Sequence, residues 1–168
     1  MLIIKLLVLL AVSNAAPVFA RKLFEDRFSW PVDAGLRFID GQPLFGASKT
    51  LRGIVFSIVL TAIGAWLMGL GWEIGVVIGV ASMAGDLFSS FTKRRLKMPA
   101  SSRATGLDQI PEALLPLLAC QRALNLDVSD MLAVVALFFA GSLVLSPLFH
   151  KLISASAPIN RVVPGAHF

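Results

Sequence analysis

The stretch "GDLFSSFTKRR", Gly85 to Arg95, puts a carboxylate and a cluster of cations where the chain is otherwise apolar. An ionisable group within a membrane-length apolar run is costly unless it is paired or lines a wet cavity, so Asp86 is a candidate site residue. Gly75, Gly79, Ser82, Asp86, Ser90 and Lys93 follow one another at steps of three and four residues, which places them on one helix face. The small residues among them let a neighbouring helix approach closely. A purely structural pair between Asp86 and Arg94 or Lys49 is the bland alternative. The cation cluster lies about two helical turns beyond Asp86, which weighs against such a pair. Lys93 and Arg94 extend the Asp86 face and suit phosphate oxygens, the arginine as a fork and the lysine as a mobile point charge. Arg95, Lys97 and Arg103 need no role beyond membrane topology and anionic headgroups.

A second carboxylate, Asp108, stands in "GLDQIP" ahead of another apolar segment. Pro111 fits the first turn of a helix there, and a carboxylate at that end is favoured by the helix dipole. The alternative reading makes Asp108 a second metal ligand. Magnesium takes one or two protein carboxylates and completes its shell with water and substrate phosphate. Two aspartates beside several cations suit phosphoryl or nucleotidyl transfer. Earlier in the chain, "DGQPLFGASKTLRG" carries Asp40, Lys49 and Arg52 into the next apolar run. Its "GASKT" lacks the G-x-x-x-x-G-K-[ST] spacing and no strand precedes it, so a P-loop is rejected. Phosphate can still be held there by backbone N–H groups, Lys49 and Arg52 at a helix N-terminus. Asn14 offers an amide within the first apolar run, for substrate or for helix–helix hydrogen bonding. The single cysteine, Cys120, excludes a disulfide framework, and His150 and His167 have no partner at zinc-ligand spacing.

The elements that must position these residues are membrane helices. Of the 168 residues, 57% are hydrophobic and 15% charged, and the mean hydropathy is +0.81, too apolar for the surface of a soluble domain of this size. Roughly 20 apolar residues cross a hydrocarbon core of about 30 Å. By that measure spans are expected over residues 2–20, 54–72, 74–91, 111–124 and 131–149, the fourth being marginal. The fold class expected is an all-α polytopic membrane bundle of about five spans, forming one domain over residues 1–168. Lys5, a short apolar core and Ser13-Asn14-Ala15 also fit a cleaved signal peptide, but continuation to Ala20 favours a retained helix. The segment between the first two spans mixes Gly, Pro and Asp with Phe38, Ile39, Leu44 and Phe45, as an ordered, re-entrant hairpin would.

The net charge is +5. The basic residues concentrate in the loops after spans one and three and in the tail with Lys151 and Arg161, so those parts face the cytoplasm. That puts the N-terminus outside, the C-terminus inside and the active site toward the cytoplasm, in the inner membrane if the cell is bacterial. The cations lack interleaved aromatic stacking partners, and nucleic acid is not an expected ligand.

Taken together, "NAAPV", "DGQPLFGASKTLRG", "GDLFSSFTKRR" and "LDQIP" resemble, in order, the motifs of the CDP-archaeol synthases, short five-span relatives of the phosphatidate cytidylyltransferases. Ser90 through Arg94 is also similar to the S-x-x-K-R core of the larger enzymes. Their His-Gly-Gly and Asp-Arg-x-x-Asp ending is absent, and Asp108-Gln109-Ile110-Pro111 stands in its place. The resemblance implies an enzyme that joins CTP to a lipid phosphate acceptor in the bilayer, giving a CDP-lipid and pyrophosphate, with Mg²⁺ as cofactor. On that reading Asp86 and Asp108 hold the metal and, with Lys93, form the catalytic set. Lys49, Arg52, Ser90 and Arg94 contact substrate phosphates, and Asp40 and Asn14 orient the loop or the nucleotide. A homo-oligomer is left open. The rivals are a small transporter or channel subunit using Asp86 as an ion or proton site, and a non-catalytic lipid-binding scaffold.

Overall fold

The computed structural model describes residues 1–25, 27–99, 102 and 104–155, with side chains through residue 144; Arg103, Arg161 and His167 lie outside the described residues. Five helices follow in order: α1 Leu2–Phe24, α2 Leu51–Leu67, α3 Trp72–Arg95, α4 Gln109–Leu124 and α5 Val128–Ala155. Among the described residues there is no named strand, only two isolated β-bridges. Each expected span corresponds to a helix, with shifted ends. α2 starts three residues before the apolar run because the Thr50 side chain accepts a hydrogen bond from the Gly53 N–H (3.2 Å), satisfying an orphan donor of the first turn. The marginal fourth segment is a helix of 16 residues that ends at Asn125 in the left-handed conformation.

α1 and α3, at 23 and 24 residues, are long and apolar enough to cross a membrane. The core is built from Leu6, Leu9 and Leu10 of α1, Ala65 of α2, Ile78 of α3, Ala113 and Leu117 of α4, and Val134 of α5. The outside of the bundle is apolar as well: Val55, Val59, Ile63 and Trp66 form an exposed stripe on α2, and Leu132 and Leu137 are exposed on α5. Apolar surface this extensive needs an apolar surrounding. All three tryptophans are exposed. Trp30 hydrogen-bonds the first residue of α2, Leu51 (3.0 Å), while Trp66 and Trp72 flank its far end, so the three bracket α2 as interfacial belts do.

The polar interruptions of α1 are answered from within the bundle. Lys5 donates to the Met68 carbonyl at the end of α2 (2.6 Å), where a cation meets the negative pole of the helix. Ser13 is fully buried and its hydroxyl hydrogen-bonds that of Ser57 on α2 (2.8 Å). Asn14 donates to the Leu10 carbonyl of its own helix (3.0 Å). Small residues set the helix spacing. A Cβ on Gly75 would stand 2.5 Å from the Ala62 backbone on α2, and one on Gly85 would stand 2.4 Å from the Pro111 carbonyl oxygen on α4.

Residues 27–50, here loop 1, form the expected ordered hairpin. Its closing rungs pair Val32 N–H with Lys49 O (2.8 Å) and Phe38 N–H with Gln42 O (2.8 Å). Asp33, only 4% exposed, ties the hairpin together: one carboxylate oxygen accepts from Gly35 N–H (3.0 Å), the other from Phe45 (3.0 Å) and Gly46 (2.9 Å). Burial alone would raise its pKa, but these N–H donors outweigh it and hold the carboxyl below the usual value. A depressed folded value means the stabilisation is complete at neutral pH and is lost as pH falls below about 4. Asp33→Asn should therefore cost loop 1 about 1–3 kcal/mol and remove its acid dependence. The protection of the Phe45 and Gly46 amides from hydrogen exchange, relative to their intrinsic rates, should fall in the variant at pH 7 to the level the wild type shows at low pH.

Candidate active site at the charged end of the bundle

The last three turns of α3 carry one partner of every salt bridge seen among the described residues. Lys49 of loop 1 reaches both oxygens of Asp86, at 2.5 and 2.6 Å, each side chain about one-fifth exposed. Lys93 pairs with Asp108 at 2.7 Å and also donates to the Ser102 carbonyl (3.1 Å). Arg95 pairs with Asp40 at 2.9 Å. The pair with Lys49, set aside in the sequence as the bland alternative, is therefore present, and the expectation that Asp86 stands apart from the cations is corrected. Its separation from Lys93 along α3 holds, but loop 1 delivers a lysine from 37 positions upstream, a contact no helical periodicity encodes.

Arg95 also corrects its reading as a topology signal alone. Its guanidinium lies 4.8 Å from the Phe38 ring centre and 4.7 Å from that of Phe91, and it donates to the Pro43 carbonyl (2.8 Å). A planar cation held against two aromatic rings and a carboxylate at once is a use of arginine that lysine cannot copy. Asp40 thus clamps loop 1 to α3, in line with a role in orienting the loop.

Gly85 allows the first turn of α4 to touch α3, and this brings a third carboxylate that sequence reasoning missed. Glu112 lies beside Asp86 and within electrostatic reach of Lys49 and Asp108. Its position two residues into a predicted helix, after Asp108 and Pro111, was the available signal, but it reads as an ordinary first-turn acid. Asp108 takes the N-cap position of α4 without capping it; its carboxylate accepts from Ala104 N–H (3.1 Å) instead.

The remaining candidates divide. Ser90 is buried on α3, and Arg94 is only 8% exposed, donating to the Pro99 carbonyl (2.8 Å) while its Nε has no partner among the described residues. A buried guanidinium lacking a carboxylate is a ready anion site. Arg52 spends one end on the Glu25 (2.9 Å) and Arg27 carbonyls beyond α1, with Nε buried and unpaired. Asn14, bonded within α1, is not joined to the charged groups by any hydrogen bond described. A cavity of about 240 Å³ opens beside the Asp86–Lys49 pair, with Pro17 and Arg21 of α1, Glu25 just beyond it and Arg52 of α2 in its wall.

Among the described residues no three His, Cys, Asp or Glu side chains form a ready-made metal cage. Asp86, Asp108 and Glu112 nevertheless supply hard oxygen donors. This donor set fits a cation that keeps most of its shell for water and phosphate, as Mg²⁺ does.

Comparison with known proteins places this architecture first among membrane-embedded enzymes. The fold matches a solved structure described as an intramembrane enzyme for archaeal membrane lipids biosynthesis, with a TM-score of 0.69 and 27% identity, covering 85% of this chain and 91% of the other. The particular family follows from the sequence: the profile of the CarS-like CDP-archaeol synthases matches residues 2–152, and the chain belongs to that family. It is 34% identical to the CDP-archaeol synthase of Pyrobaculum arsenaticum over 90% of this chain and 88% of the relative. With that of Pyrobaculum aerophilum it shares 33% identity over 83% of this chain and 82% of the relative.

Lys49 is the cation that lets Asp86 and Glu112 meet, so Lys49→Met should lower the melting temperature in detergent. Lys49→Met combined with Asp86→Asn should recover part of that loss, because the carboxylate that Lys49 pairs with directly is removed along with it, while Glu112 remains. A double variant that melts as low as the sum of the singles would argue against the coupling.

Proposed function

We propose that the charged end of the bundle transfers a cytidylyl group from CTP to a membrane lipid phosphate, giving a CDP-lipid and pyrophosphate. The chain is a CTP-dependent nucleotidyltransferase, as its family membership and its CDP-archaeol synthase relatives support. None of the relatives named above is a transporter, and the charged groups gather at one end of the helices rather than at their middle. The observation that carries the assignment of residues is the convergence on Asp86 of Lys49, Glu112 and, one step away, the Lys93–Asp108 pair beside buried Arg94.

In this reading all five helices span the bilayer as one domain, α1 is retained, the N-terminus is outside, and the charged end faces the cytoplasm. The concentration of cations in loop 1 and after α3 supports that orientation. α1 supplies three fully buried core leucines, which supports its retention. The acceptor phosphate is ionised near neutral pH, so no general base is needed. Its oxygen bonds to the α-phosphorus of CTP as the α–β P–O bond breaks, and pyrophosphate leaves with the electron pair. Asp86 and Asp108, with Glu112 beside them, would hold Mg²⁺, whose charge neutralises phosphate oxygens when it is bound. Lys49, Lys93 and Arg94, now committed to carboxylates or carbonyls, supply cations for the triphosphate and hold it in line. Arg52 offers its unpaired Nε to a second anion, and Ser90 shapes the wall between.

Purified protein incubated with labelled CTP, Mg²⁺ and a panel of lipid phosphates, an archaeal ether lipid first and phosphatidate second, should form CDP-lipid and pyrophosphate. Asp86→Asn should lower turnover by roughly 10³-fold or more, the scale of losing a principal electrostatic stabiliser, with the helical signal and elution volume unchanged. A folded wild-type sample inert toward every acceptor would reject the proposal.

A further inference from the structure

The tip of loop 1 is a tight turn with an apolar apex. Gly41 N–H bonds to the Phe38 carbonyl (2.9 Å) and Gln42 N–H to an oxygen of the Asp40 carboxylate (3.0 Å). Ile39 is left at the corner, 95% exposed. Corners that face water go by preference to proline, glycine or short polar residues. Leu36, three positions earlier, is exposed as well, and so is Leu96 just past the end of α3. Single exposed apolar side chains are ordinary, so the place of the tip decides what these mean. Phe38 meets Phe91 edge-on, with ring centres 5.4 Å apart, and Arg95 holds Asp40 (2.9 Å). Phe91 continues, at steps of three and four residues, the exposed face of α3 formed by Val77, Val80, Ala84 and Phe88. The tip is therefore fastened to the outer face of α3, which no other helix covers there.

We infer that the tip of loop 1 is an interfacial anchor. Leu36 and Ile39 enter the layer between headgroups and hydrocarbon beside the end of α3, and the exposed cations Arg37 and Lys97 meet anionic lipid phosphates. The partner is the lipid surface itself. From the preceding reading the inference takes only that α2 and α3 cross the bilayer, and it does not depend on the reaction. The stem of the hairpin supports it independently. Phe28 and Trp30 are exposed, their rings edge-on at 6.3 Å. The Trp30 carbonyl accepts from Leu51 N–H (3.0 Å), where the exposed stripe of Val55, Val59 and Ile63 begins its run along α2. Both ends of loop 1 thus touch outward faces of helices at the level where their apolar stripes end. Aromatic rings and amphipathic segments settle at that level. The charge agrees, because Asp40 is taken up by Arg95 and the tip keeps a positive balance. Such an anchor helps hold in place the hairpin that delivers Lys49 to Asp86.

A nitroxide at position 39 reads this directly. Ile39→Cys removes almost no contact within the protein. Cys120, the single native cysteine, is buried, and the unsubstituted chain is the labelling control. In nanodiscs of phosphatidylcholine and phosphatidylglycerol, power-saturation EPR should find the label at position 39 relaxed more by oxygen than by a water-soluble nickel chelate. A label on Phe88→Cys, within the apolar face of α3, should show the same preference more strongly. Stronger relaxation by nickel at position 39 would place the tip in water, and protection from both reagents would place it against another protein chain. Either result overturns the inference. A water-accessible label on Phe88→Cys would instead reject the spanning of α3, and the inference with it. As a second measure, Ile39→Ser should lower the exchange protection of the Phe38 and Gly41 amides in nanodiscs by about fivefold, the scale of half withdrawing an isoleucine side chain from water. Ile39→Leu should keep that protection. In water a serine suits the turn, so unchanged or increased protection in Ile39→Ser would also overturn the inference.

Discussion

A carboxylate at the edge of the apolar run of a membrane-length helix has to be compensated, and the end of this bundle is arranged around that requirement. Asp86 is the group in question. Water is the usual compensator, but here it is only partly available, the side chain being about one-fifth exposed. The structure answers with Lys49, which must arrive from outside the helices because no residue one turn away on α3 is a cation. Glu112 adds a second acidic side chain to the same point, which deepens the need for positive charge.

The organisation of loop 1 follows from this need. A lysine on a floppy loop would lose much side-chain and backbone entropy in pairing. Loop 1 is instead pre-folded by Asp33 and pinned to α3 by Arg95, Asp40 and the Phe38–Phe91 contact. The glycines on α3 serve the same end from the other side. Gly75 brings α2, whose first residue follows Lys49 and Thr50, against α3, and Gly85 brings α4 with Asp108 and Glu112. Close helix packing and charge compensation are thus one arrangement: loosen either contact and a carboxylate loses its partner.

Ion pairs between elements also bear on how such an end can bind anions. Lys49 and Lys93 each hold a carboxylate, so the charged end is internally balanced. A cation that took over those carboxylates would free two ammonium groups for phosphate. Arg94, by contrast, is buried and pairs with no carboxylate among the described residues. Arg95 is not of this kind, being consumed by the clamp although it directly follows Lys93 and Arg94 in sequence.

That contrast marks the boundary of what the chain determines by itself. Hydropathy and length fixed the number and approximate extent of the helices, because burial in an apolar surround is a property of each segment. The three- and four-residue steps on α3 placed Asp86 and Lys93 on one face, and the motif blocks pointed to the family. Lys49 was one of two partners the sequence offered Asp86, but nothing in the sequence chose it, and the other pairings were not legible. Lys49 meets Asp86 across 37 positions and Asp40 meets Arg95 across 55, through a hairpin whose fold depends on one buried aspartate. Glu112 looked like an ordinary first-turn acid until Gly85 let α4 approach. Local sequence specifies residue type, periodicity and cost. Which charge meets which is decided by where loops and crossing helices bring distant segments together, since electrostatic pairing acts through space and not along the chain.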